Sequence, residues 1–208
     1  MPDLEIIGVP FSNYVRAVRM LCEEKGVAHT LTPSRPHTPE VLAIHPTGQI
    51  PAMRHGDVTL FETKALATYI DKAFPGPKFM PEDAVGAAKV EQWVSYGNAK
   101  VDKWIMREFV VPQAFADKVK GPDTARIAAA IPEIEACCKV LDGAVAKSGY
   151  LVGDALTYAD MHMLPMLVTM QVYPAGKEIA PKYRHLMAWV EKLSARPSFQ
   201  KTAPPPRK

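Results

Sequence analysis

The stretch LEIIGVPFSNYVRAVRMLCEEKG, residues 4–26, decides the fold class. Its first five residues are a short apolar run stopped by Gly8 and Pro10, which predicts a β-strand. From Asn13 to Lys25 the apolar positions Val15, Val18, Met20, Leu21 and Cys22 recur at helical spacing. Ser12 or Asn13 can cap that helix and Gly26 can end it. A strand running into a helix through so short a turn opens an α/β domain.

Residues 27–32 (VAHTLT) predict a second strand, and Pro39–Ile44 a short helix with proline at its first position. Residues 50–54 (IPAMR) and 57–61 (DVTLF) predict two strands joined in a hairpin at His55–Gly56. A helix follows over Glu62–Ala73, with Ala65, Leu66, Tyr69 and Ile70 on one face. The order fits a βαβ unit followed by a ββα unit, that is, a mixed sheet packed by helices. The proline-rich FPGPKFMPED reads as the linker that closes this domain. Beyond it no strand of similar quality occurs. One helical stripe runs through Trp93, Gly97, Val101, Trp104, Ile105 and Glu108, and another through Ile127, Ile131, Ile134, Cys138, Leu141 and Val145. LTYADMHMLPML and YRHLMAWVEKL add two more helices. The expected division is 1–74 for the α/β domain, 75–83 for a linker and 84–208 for an all-helical bundle. TAPPPRK at the C-terminus reads as a frayed tail.

Composition narrows the function. With 48% hydrophobic and 23% charged residues the chain has the make-up of a globular protein. A net charge of +3 with no Lys/Arg block gives no reason to expect nucleic acid as a partner. No apolar stretch is long enough for a bilayer, so no membrane partner is expected. The N-terminus lacks the charged and apolar regions of a signal peptide. Three cysteines, Cys22, Cys137 and Cys138, give neither a disulfide framework nor metal-ligand spacing. These readings point to a reducing, cytoplasmic setting and to no metal.

Three local features carry chemistry. Ser12 stands at the first strand–helix turn. HPTGQIPAM, residues 45–53, places Pro51 at a strand start. FETKALATYI, residues 61–70, opens a helix with Glu62–Thr63. Together with Val18–Arg19, Gly153, Thr157, Ala159–Asp160, Trp189 and Arg196–Pro197, they resemble the ordered pattern of the glutathione transferase superfamily. The nearest branch in pattern is a serine-type, bacterial phi- or theta-like cytosolic one. His45 departs from the asparagine usual in that pattern and is read as strand–turn packing.

The resemblance implies a thioredoxin-like domain followed by a helical one, glutathione as co-substrate, and a homodimer. It implies a cis Ile50–Pro51 bond, with the Ile50 backbone paired to the cysteinyl backbone of glutathione and Gln49 bonded to the peptide. Thr63 would hold the γ-glutamyl carboxylate at a helix N-terminus, Glu62 the α-ammonium, and His37 the glycine carboxylate. Ser12 would donate to the sulfur and favour the thiolate, with Asn13 and Tyr14 as rival donors. Phe11 and Tyr14 would line a pocket for a small hydrophobic electrophile with Trp104, Phe109 and Phe115. The leading reading is a transferase conjugating glutathione to such electrophiles. Its alternatives are a non-catalytic glutathione or hydrophobic-ligand binder, or a related isomerase, dehalogenase or peroxidase.

Each residue also has a plainer reading. Ser12 is an N-cap, Pro51 a strand-start proline, Glu62–Thr63 ordinary first-turn chemistry, and His37 a solvated loop histidine. Arg16 and Arg19 read as salt-bridged helix residues. Cys137, Cys138, His162 and the methionines 161, 163 and 166 read as core or its flank. Thr157 and Asp160 form a capping box.

Overall fold

The structure is a computed structural model that describes residues 3–117 and 119–205. It falls into two units, Met1–Glu82 with Ser194–Lys208, and Asp83–Leu193.

The first unit has the order β1 (Leu4–Gly8), α1 (Asn13–Lys25), β2 (His29–Pro33), α2 (Pro39–Leu42), β3 (Ala52–His55), β4 (Val58–Phe61) and α3 (Thr63–Ala73). The strands form one sheet in the order β2-β1-β3-β4. β1 runs parallel to β2 and antiparallel to β3, which pairs antiparallel with β4. This is the expected mixed sheet of a thioredoxin-like domain. β1 is central, and its Leu4, Ile6, Ile7 and Gly8 are buried, as a strand flanked on both edges should be.

Boundaries shift from the sequence expectation for local reasons. α1 ends in a Schellman motif: Gly26 is left-handed, its N–H bonds Glu23 O, and the Val27 N–H bonds Cys22 O. The Val27 amide is thereby committed to the helix end, and β2 starts at His29 rather than at Val27. β3 starts at Ala52 because Pro51 has no N–H to give the ladder.

The segment expected as a linker is folded onto the first unit. The Lys25 ammonium and the Asp71 carboxylate, both buried, pair at 3.3 Å. Lys25 also donates to Pro77 O, and the Phe79 and Met80 amides donate to the Asp71 carboxylate. Phe79 is buried. Prolines fix φ but say nothing of what the neighbouring side chains reach, so composition could not reveal this anchor. The C-terminal segment returns to the same unit as α10 (Pro197–Lys201), which packs on α1. Thr202, expected in the frayed tail, is fully buried and its carbonyl accepts from Arg16 Nε. The last three residues of TAPPPRK lie outside the described residues. Arg16 is therefore no salt-bridged surface residue: it donates to two carbonyls, Thr202 O and Phe199 O, and lies over the Phe199 ring at 4.1 Å. Burial, with Arg19 nearby, lowers its pKa to about 10.

The second unit is helical, as expected: α4 (Ala84–Tyr96), a π-helical continuation over Gly97–Val110, α5 (Val111–Ala114), α6 (Thr124–Val145), α7 (Tyr158–Met170), α8 (Pro174–Ile179) and α9 (Arg184–Ser194). α7 is the core helix, with Tyr158 to Leu167 buried. Its capping box is present. The Asp160 carboxylate accepts from the Thr157 N–H and hydroxyl, and also from the Leu151 N–H and the Trp189 indole.

Candidate functional site

The pairing register assembles the site. Gly8 lies opposite Pro33, Ile7 opposite Ala52, and Ala52 opposite Phe61. The chain therefore leaves β1, leaves β2, enters β3 and leaves β4 at one end of the sheet. Ser12, His37, Gln49–Pro51 and Glu62–Thr63 follow or precede these four points. Gly8 tightens the junction, since a Cβ there would stand 2.5 Å from Val15 Cγ2 and 3.4 Å from Ile50 Cβ. Only a glycine lets α1 and Ile50 come this close to the end of β1.

Ser12 is the N-cap of α1, and its Oγ accepts from the Val15 N–H at 3.4 Å. That bond uses a lone pair and leaves the hydroxyl hydrogen for another acceptor. The plain reading and the catalytic one are thus compatible on the same atom. Asn13 is buried, while Tyr14 is half-buried and keeps a place as a rival donor. Phe11, beside the turn, is exposed.

The Ile50–Pro51 peptide bond is cis. Pro51 is buried, Gln49 is exposed, and Ile50 packs against the cluster of Ile7, Val41 and Ala52. The Ile50 backbone lies outside the β1–β3 ladder, whose last pair is Ile7–Ala52. His37 is exposed, and its N–H donates to Gly48 O at 2.8 Å. Gly48 has φ 67°, and a Cβ on it would meet His37 Nδ1 at 2.5 Å. The His37 loop and the loop before Pro51 are locked together at this glycine.

Backbone strain supplies a signal that the sequence reading lacked. Among the described residues, two that are not glycine have positive φ: His37 at 64° and Glu62 at 67°. Both were expected at the site. Such conformations cost about 1–3 kcal/mol each and gather at functional positions. Glu62 is the residue before α3, makes no side-chain cap bond to it, and its side chain is 66% exposed. Thr63 follows as the first helical residue, where N–H groups and the helix dipole favour an anion. His45, read from sequence as packing alone, is buried with Nε2 3.9 Å from Glu62 Oε1 and its ring 4.8 Å from that of Phe61.

The aromatic residues expected to meet the electrophile divide by exposure. Trp104 is half-buried on the π-helical stretch, with Lys103 Nζ 4.4 Å over its ring and its indole nitrogen unbonded. Phe115 is exposed. Phe109 is a correction: it is fully buried and stacked edge-on against Tyr173 at 5.9 Å. It belongs to the helical core, where it can shape a pocket only through its neighbours. The buried face of the π-helical stretch runs Gly97, Val101, Ile105, Phe109 and Val110, so Phe109 takes the inward place expected for Glu108.

Cys22 and Cys138 are buried, and burial pushes each thiol up to about 12. Cys137 is raised by burial too, against the hydrogen bond to Tyr96 that lowers it. Among the described residues no group of three His, Cys, Asp or Glu side chains could hold a metal ion.

Comparison with known proteins agrees with this geometry. Residues 6–78 match the glutathione S-transferase N-terminal domain and residues 93–197 the C-terminal domain. The chain is 32% identical to glutathione S-transferase 3 of Zea mays over 225 residues, 99% of this chain and 98% of that protein. It is 29% identical to glutathione S-transferase F9 of Arabidopsis thaliana, over 96% of this chain and 95% of the relative. The crystal structure of glutathione transferase F7 from Populus trichocarpa superimposes with a TM-score of 0.86 at 28% identity, covering 96% of this chain and 97% of that one. These three relatives are plant proteins, whereas the sequence pattern alone suggests a bacterial branch.

Proposed function

The chain belongs to the glutathione S-transferase family through both of its domains, and on that premise we propose that it conjugates glutathione to small hydrophobic electrophiles with Ser12 as the thiolate donor. One observation carries the reading. Ser12, the cis Ile50–Pro51 bond and the Glu62–Thr63 helix start stand at one end of a single sheet.

Each part of glutathione has a matching group there. The free edge of Ile50 suits the cysteinyl backbone, with Gln49 beside it. Thr63 and the α3 N-terminus suit the γ-glutamyl carboxylate, Glu62 the α-ammonium, and His37 the glycine carboxylate. A free thiol has a pKa near 8.5, so only a few per cent is thiolate at neutral pH. The Ser12 hydroxyl at the N-terminus of α1 donates to the sulfur and stabilises the anion. The thiolate then forms the C–S bond as the electrophile's leaving group departs. Phe11, Tyr14, Trp104 and Phe115 remain the side chains proposed for the electrophile. We take the protein to be a serine-type, phi- or theta-like homodimer. Unpaired cysteines suit a cytoplasmic setting.

The test is turnover of an aryl halide panel with glutathione, followed by ultraviolet absorbance of the bound thiolate across pH. Saturable conjugation in wild type, with a thiolate titrating below that of free glutathione, is the expected result. Glutathione bound without conjugation of any electrophile would leave a binding protein instead.

A further inference from the structure

We propose that His45 is a positioning residue, holding the Glu62 carboxylate in place for the α-ammonium of glutathione; this rests on the reading of Glu62 given above. The Thr47 backbone N–H donates to His45 Nδ1 at 3.3 Å, and the Thr47 hydroxyl stands 3.2 Å from the same nitrogen. A backbone N–H can only donate, so Nδ1 is the acceptor and the ring hydrogen sits on Nε2. That nitrogen is the one facing Glu62 Oε1, at 3.9 Å. The separation is too long for a hydrogen bond and short enough for the N–H dipole to bias the carboxylate.

The two partners differ in freedom. The His45 side chain is 5% exposed, held by Thr47 on one side and packed against Phe61 on the other. The Glu62 side chain is 66% exposed and belongs to a residue whose backbone is in the left-handed region. An exposed glutamate samples many rotamers, and ordering it on binding weakens affinity. A buried, fixed N–H 3.9 Å from its carboxylate narrows that sampling before the ligand arrives. The sequence alone places His45 in strand–turn packing. The geometry gives its far nitrogen a second role that asparagine, the usual residue in the family pattern, is too short to fill.

His45→Asn tests this with little risk to the fold, because the Asn oxygen can still accept from Thr47 while nothing reaches Glu62. The probes are glutathione and glutaryl-Cys-Gly, which lacks only the α-amino group, each titrated calorimetrically. Wild type should prefer glutathione by about tenfold or more, the range of a charge-assisted hydrogen bond. In His45→Asn the preference should shrink by about threefold or more, while affinity for glutaryl-Cys-Gly stays near wild type. His45→Gln, whose amide extends toward the Nε2 position, should recover part of it. An undiminished preference in His45→Asn, or equal weakening of both probes, would overturn the proposal and leave His45 a packing residue. No preference in wild type would instead overturn the Glu62 assignment, and the positioning role with it.

Discussion

Asp160 and Glu62 are both carboxylates at the start of a helix, yet their surroundings differ in every respect. Asp160 is fully buried and accepts from Thr157, Leu151 and Trp189. Its backbone is helical. Burial pushes its pKa up against those hydrogen bonds, which lower it. Glu62 is exposed, makes no cap bond to its own helix, and sits in a strained backbone conformation. A polar group with a full set of partners inside the protein has no capacity left for a ligand. One that is held in place with its capacity unspent is available to a ligand. The same contrast separates the buried Lys25–Asp71 anchor from Ser12, whose cap bond leaves its hydrogen to give.

The largest effect that would break this comparison is on stability. Asp160→Ala removes the acceptor of two backbone amides and an indole, and should cost about 3–5 kcal/mol, as loss of one partner in a buried charged network does. Glu62→Gln should leave the unfolding free energy from urea titration within about 0.5 kcal/mol of wild type, as surface changes do, while weakening glutathione. Equal destabilisation by the two variants would mean that Glu62 is also a fold residue.

Next come the ligand contacts. Thr63→Ala should weaken glutathione by about 1–3 kcal/mol through loss of a hydrogen bond to a charged group. Unchanged affinity by calorimetry would reject Thr63 as the carboxylate site. Ser12→Ala should bind glutathione nearly as wild type does but raise the thiolate pKa by about one unit, a loss of thiolate at neutral pH of up to about tenfold. Its rate should recover partly as pH rises. If both proteins titrate alike, Ser12 is a cap only, and Asn13, Tyr14 or a backbone N–H is the donor.

How far these roles were legible in the sequence depends on the range of the interaction. Ser12 as a cap, Gly26 as a helix end and Thr157–Asp160 as a box are set within a few residues, and a short motif encodes them. The element order of the first domain follows from strand and helix periods in the same way. The linker, the tail and His45 are different. Pro75–Asp83 looked free because prolines punctuate, but Asp71 and Lys25 hold it from two separate helices. Thr202 looked frayed because three prolines follow, but Arg16 on α1 binds its carbonyl. Phe109 was misplaced because the π-helical stretch alters the phase on which a 3.6-residue period relies. His37 and Glu62 have positive φ, which no short motif around either residue encodes.

The smallest effect sharpens the comparison by titration, because Glu24 lies between the two extremes. It is a half-buried carboxylate on α1 that takes Arg196 Nε and Nη2, each at 2.6 Å, and the Ser198 hydroxyl. Burial raises its pKa, but the hydrogen bonds from Arg196 and Ser198 and the Arg196 charge outweigh burial and leave it lowered. A carboxylate whose folded pKa lies below its unfolded value stabilises the fold above the unfolded pKa, about 4.3 for glutamate. That contribution is lost as pH falls through the folded value. Arg196 is about a third exposed, so solvent screens the pair and the contribution should be about 1 kcal/mol. Glu24→Gln should therefore be less stable than wild type at pH 7, and the gap should close as pH falls below about 4. Amide exchange over residues 197–202 should speed up in wild type across the same window, as α10 loosens from α1. A gap between the two proteins that is independent of pH would show that the contacts of Glu24 act through packing and not through its charge.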